Sequence, residues 1–133
     1  MRVVLDTNII VSACLTPAGS SATIVALVLA GAISLVLSES VLWEYREVLA
    51  RPKFSLQAHR ASLLLEGLTD AAVIVKPVDI VSICPDDGDN RVLECALAGA
   101  AGFVVTGNLK HFPSEFGDVR IRSPREFLVE FGY

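Results

Sequence analysis

Apolar runs of strand length recur at residues 2–5, 33–37, 73–75, 103–106 and 119–121. Val, Ile and Leu dominate several of them without alternation, the pattern of strands buried on both faces of a sheet. Stretches with helical character lie between the runs. Residues 21–30 are apolar on nearly all sides, as in a packed helix, with Gly31 as a C-terminal stop. Residues 40–50 carry a stripe of Val41, Leu42, Tyr45, Val48 and Leu49 at helical spacing, and Pro52 ends it. Leu56, Leu63, Leu64, Leu65 and Leu68 mark one long or broken helix over 55–68. Residues 90–99 predict a helix of small residues with Asp89 as N-cap, and Pro124 opens a last helix over 124–130. Strands alternating with helices predict an α/β domain on a mainly parallel sheet. No repeat, low-complexity tract or linker breaks the pattern.

Composition sharpens this picture. At 133 residues the chain reads as one domain, large enough to bury roughly two-thirds of its unfolded surface. Hydrophobic residues make up 53% and charged residues 20%, so surplus apolar surface is expected to meet a partner. The longest greasy stretch, Ala22 to Ala30, is far too short to span a bilayer. No basic segment followed by an apolar region opens the chain, and a cytoplasmic location is expected. Cys14, Cys84 and Cys95 form no C-x-x-C pair, and there are only two His. That argues against a disulfide framework or a Cys/His zinc site. The net charge of −4 is the wrong sign for gripping nucleic acid by bulk electrostatics. A carboxylate cluster that loads a divalent cation contributes to that count, and the cation reverses the local field.

Four features carry candidate chemistry. Asp6 stands where the first strand ends, followed by Thr7 and Asn8, which suit a turn. In an open parallel sheet ligands bind beyond the carboxyl ends of the strands. Alone, Asp6 reads equally as a turn residue or a helix cap. Glu44 borders the apolar stripe of its helix, where a carboxylate can point into a cleft. Pro85-Asp86-Asp87-Gly88-Asp89-Asn90 opens another helix with three Asp in four residues, which repel one another unless they cap, bind a cation or face water. The likeness to an EF-hand loop is superficial, since no Glu stands at its final position. Val104-Val105-Thr106-Gly107-Asn108 ends another strand, and Asn108 offers a neutral carbonyl oxygen. All four are expected at one sheet edge, and hard cations such as Mg²⁺ and Mn²⁺ prefer oxygen ligands.

Together these motifs make the chain similar to PIN-domain ribonucleases, in particular to the toxin components of toxin–antitoxin pairs. The likeness rests on Val3-Val4-Leu5-Asp6-Thr7-Asn8, Glu44, Asp89-Asn90-Arg91-Val92-Leu93-Glu94-Cys95-Ala96 and Thr106-Gly107-Asn108, and it runs through Ser123-Pro124-Arg125-Glu126-Phe127-Leu128. The resemblance implies a three-layer α/β/α domain with a central, mainly parallel five-stranded sheet. It further implies an acidic pocket for Mg²⁺ or Mn²⁺, cleavage of single-stranded RNA, a cognate antitoxin and a homodimer. Its catalytic acids fall on Asp6, Glu44 and Asp89, with the metal on Asp6 and Asp89. The family's fourth acid is Asn108 here, and Asp86 is a possible substitute. One tightly held metal, with a second arriving with substrate, is the resulting expectation.

In that chemistry Glu44 completes the coordination shell or accepts the proton of the attacking water. Thr7, Asn8 and Thr106 donate hydrogen bonds that orient the carboxylates, with Asn108 beside them. Arg46, Arg51, Lys53, Lys110 and His111 flank the pocket in sequence, although each reads first as a solvated charge. Trp43 and Tyr45 are candidates to stack a base, although Tyr45 lies in the buried stripe and Trp43, off it, better suits an interface. An aspartyl-phosphate phosphotransferase needs a second Asp where Asn8 stands. A phospho-receiver domain needs an acidic pair after strand one and a Lys after the last strand. The remaining rival is a catalytically weakened PIN-like module that binds RNA or protein.

Overall fold

The computed structural model describes residues 1–133. Six strands, β1 (Arg2–Leu5), β2 (Ser34–Ser38), β3 (Val73–Val75), β4 (Phe103–Val105), β5 (Glu115–Phe116) and β6 (Val119–Arg122), form one sheet in the order β3-β2-β1-β4-β6-β5. All neighbours are parallel except β5 and β6. The five parallel strands are the five expected. The sixth, β5, is a two-residue antiparallel addition turned by Gly117 at φ +60°, too short to leave a hydrophobic pattern.

The centre of the sheet is the driest part. Val3, Val4, Leu5, Leu35, Val36, Leu37, Val104 and Val105 are wholly buried. Each such side chain contributes about 1.5–3 kcal/mol by leaving water. Six helices flank the sheet, α1 (Thr7–Leu15), α2 (Ser20–Leu29), α3 (Glu39–Leu49), α4 (Ala58–Ala71), α5 (Asp87–Ala98) and α6 (Pro124–Phe131). Helix α5 lies across β1, β2 and β4. Its end at Gly99 sits so close to β2 that a Cβ there would fall 2.3 Å from a Val36 methyl.

Two open readings are decided and one expectation is corrected. Asp6 caps the next helix through the Thr7 N–H, so α1 starts at once and no turn intervenes at Thr7-Asn8. The cap of α5 is Asp86, whose Oδ1 accepts the Gly88 N–H at 2.8 Å; Asp89 is the third helical residue. The 55–68 stretch is broken: a 3₁₀ turn over Pro52–Gln57 precedes α4. The last helix has a capping box of Ser123 and Glu126 with Pro124 at its first position. The three cysteines are free and buried. No single helix is long and apolar enough to cross a membrane.

The chain leaves β1 towards β2 and β3 on one side and returns to β4 on the other. The crevice between the carboxyl ends of β1 and β4 is therefore a topological switch point, where open α/β sheets bind ligands. Leu5 pairs with Val105, so Asp6 and Thr106 emerge side by side.

Candidate active site

Asp6 is fixed from three directions. Its Oδ1 accepts the Thr7 N–H at 2.9 Å. Its Oδ2 accepts the Thr106 hydroxyl at 2.8 Å and the Asn8 amide at 3.2 Å. Asn8 also accepts the Gly107 N–H at 2.9 Å, and Thr106 accepts the Asn108 N–H at 3.0 Å. Side chains thus tie the ends of β1 and β4 beyond the last ladder bond. The Tyr45 hydroxyl donates to the Leu5 carbonyl from below, which places this buried ring of α3 under the site. Thr7, besides giving its N–H to Asp6, donates its hydroxyl to Glu44 Oε2.

The acids of α3 and α5 meet across Gly88. A Cβ at Gly88 would lie 2.5 Å from Glu44 Oε1 and 3.0 Å from Asp86 Oδ1, so only hydrogen separates the helix from the Glu44 carboxylate. Asp89 is buried, and its Oδ2 has no hydrogen-bond partner. The nearest cation to that oxygen is His111, whose Nδ1 stands 3.6 Å away and is charged only when protonated. Burial pushes the Asp89 carboxyl up to about 6, and the fields of Asp6, Asp86 and Glu44 push the same way. Asp6 is raised too, chiefly by burial with Glu44 adding to it, against the donors from Thr106, Thr7 and Asn8. Four acids therefore share one repulsive field with an orphaned oxygen at its centre. That is the electrostatic demand a divalent cation meets.

As they stand, no three His, Cys, Asp or Glu side chains converge closely enough to enclose an ion. Mg²⁺ does not require such a cage; it keeps several waters and uses one or two carboxylates together with substrate phosphates. The all-oxygen donor set of Asp6 and Asp89, with Asp86 and Glu44 beside it, fits that mode.

The expected residues gather as follows. Asp6, Thr7, Asn8, Glu44, Asp89 and Thr106 surround one crevice, linked by the hydrogen bonds and shared fields above. Asn108 lies at its rim, exposed, engaged through its backbone. Of the basic residues, Arg46 lines a separate groove between α3 and α4, Arg51 pairs with Glu47, and Lys53 sits over the Phe54 ring. Only His111 touches an acid of the site. Gly88 and Arg91 were missed. A glycine inside an acidic helix start is the one signal that a close approach was needed there.

A PIN-domain profile matches residues 2–110. The uncharacterized protein MJ1680 of Methanocaldococcus jannaschii is 27% identical over 98% of this chain and 92% of its own length. The crystal structure of VapBC2 from Rickettsia felis bound to a DNA fragment from their promoter shares the fold at a TM-score of 0.61. That match covers 92% of this chain and 98% of the other at 18% identity. PIN domains are generally nucleases, and with the profile spanning most of its length this chain belongs to the PIN-domain family.

Proposed function

We propose that the chain is a metal-dependent endoribonuclease that cleaves single-stranded RNA in the cytoplasm and serves as the toxin of a toxin–antitoxin pair. The carrying observation is the buried, unpartnered Oδ2 of Asp89 in the field of three other acids. Asp6 and Asp89 would hold Mg²⁺ or Mn²⁺, which neutralises phosphate charge and acidifies a nearby water. The chain's own residues do the rest. Thr7 holds Glu44 by one oxygen, leaving the other to accept the proton of the attacking water. Thr106, Asn8 and the Thr7 N–H favour the ionised form of Asp6 against its burial and aim the carboxylate. The test is cleavage of a labelled single-stranded RNA with Mg²⁺, with Mn²⁺ and with chelator. Metal-dependent cleavage by the wild type that Asp6→Asn abolishes, with the fold retained, supports the reading. Cleavage indifferent to metal or to Asp6 overturns it.

The partner follows from the same charges. A small cognate protein that inserts an Arg or Lys among Asp6, Glu44 and Asp89 would take the cation's place. The fold shared with the toxin–antitoxin assembly VapBC2 supports this reading. Such a partner should inhibit cleavage, bind Asp6→Asn more weakly, and be partly displaced by excess Mg²⁺. Asn108 favours one second reading, a PIN-like binding module weakened in catalysis, which the same assay separates as RNA binding without cleavage.

A further inference from the structure

Beside the acid crevice opens a cavity of about 520 Å³, walled by Glu39, Ser40, Trp43, Glu44, Gly88 and Arg91. Glu44 and Gly88 belong to both, so the cavity is the crevice's immediate continuation. Trp43 is the chain's single tryptophan, and 64% of it is exposed. Helix α3 has no packing use for it, since Val41, Tyr45 and Leu49 form its buried face. Arg91 is held in place from behind. Its Nη2 donates to Glu94 Oε2 at 2.7 Å and to the Val81 carbonyl at 3.2 Å.

Resting on the nuclease reading above, we infer that this cavity is a base-binding subsite that takes one unpaired nucleobase of the substrate on the face of Trp43. An indole and a guanidinium in the same wall are the surfaces on which flat, electron-rich rings stack. The volume falls within the range of pockets that enclose small organic ligands. A base stacked here sets its own backbone across Glu44 and the acids beyond it. A base inside a duplex has both faces occupied and cannot enter, so the subsite selects single strands. It also explains how an acidic protein grips a polyanion: the contact is made to the base, where charge does not count against it.

Trp43 reports on its own site by fluorescence. The Asp6→Asn protein in Mg²⁺ is titrated with an end-labelled RNA octamer, single-stranded or annealed to its complement. Indole emission and label anisotropy are read together. The single strand should quench Trp43 and the duplex should not. Trp43→Ala should weaken octamer binding about tenfold, equivalent to about 1.4 kcal/mol, while Trp43→Phe stays within about threefold. Emission unmoved while anisotropy reports binding, equal quenching by duplex, or unchanged affinity in Trp43→Ala overturns the subsite and leaves the nuclease reading standing. No binding by the variant, joined to no cleavage by the wild type, overturns both.

Discussion

Gly88 shows how much a missing methyl group can decide. In a helix, Ala in place of Gly gains about 1 kcal/mol of stability. Here the added Cβ lands 2.5 Å from Glu44 Oε1, and the flexible carboxylate has to yield. Gly88→Ala is therefore expected to melt at the same temperature or higher while cleaving about tenfold to a hundredfold more slowly. Calorimetry beside a rate assay checks the split. Asp89 has the opposite signature. Its folded carboxyl titrates near 6 against an ordinary 3.8, so the folded state binds the proton more tightly than the unfolded chain. Stability should fall as pH rises between about 4 and 6 and level off above. Asp89→Asn should flatten that slope and, with solvent screening, gain on the order of 1 kcal/mol at neutral pH. Thermal melts across pH 4.5–7.5 read both. Asn108→Asp adds a carboxylate at the rim and should lower the Mg²⁺ concentration needed for half-maximal cleavage.

At the level of elements, α5 does more than carry Asp89. It clasps the preceding segment. Asn90 accepts the Cys84 N–H at 2.8 Å and returns its amide to the Cys84 carbonyl at 3.1 Å. Buried Glu94 accepts the Val81 N–H at 2.9 Å as well as Arg91. Glu94→Ala should cost about 2–3 kcal/mol in urea unfolding, because a buried N–H loses its partner and Arg91 is released into the Trp43 cavity. None of this clasp was legible beforehand: Glu94 stood in a familiar motif without a task, and its partner is an unpatterned loop. What was legible followed from burial. The five apolar runs announced five strands, β1, β2 and β4 among them dry on both faces, and the stripe of α3 announced its inner side. Helix α1 escaped because Thr-Asn is common in turns, and Asp6 reads there as a turn residue as readily as a helix cap. Among three neighbouring Asp, the sequence does not say which one caps; the geometry chose Asp86 and left Asp89 for the crevice.

For the molecule as a whole, the charge and the apolar surplus make two demands. If affinity comes from stacking and a bound cation, the logarithm of RNA affinity should fall with the logarithm of salt at a slope no steeper than about −2, well short of a basic-patch binder. Binding measured from low to moderate salt tests this. The expected homodimer needs an apolar face, and on α2 only Leu29 is a large exposed apolar residue, since Ile24, Val25 and Val28 are spent on the core. Exposed Leu56 and Leu63 around α4 remain. Light scattering should give a dimer mass that the double variant Leu56→Ser, Leu63→Ser reduces to a monomer. The bonds from Thr106 to Asp6 and from Gly107 to Asn8 join residues about a hundred positions apart. Thr7 and Asn8 hold Asp6 locally, but the crossing cannot close until β4 has been made and docked. During synthesis the crevice thus stays unbuilt for most of the chain's length, and the site is complete only with its final quarter.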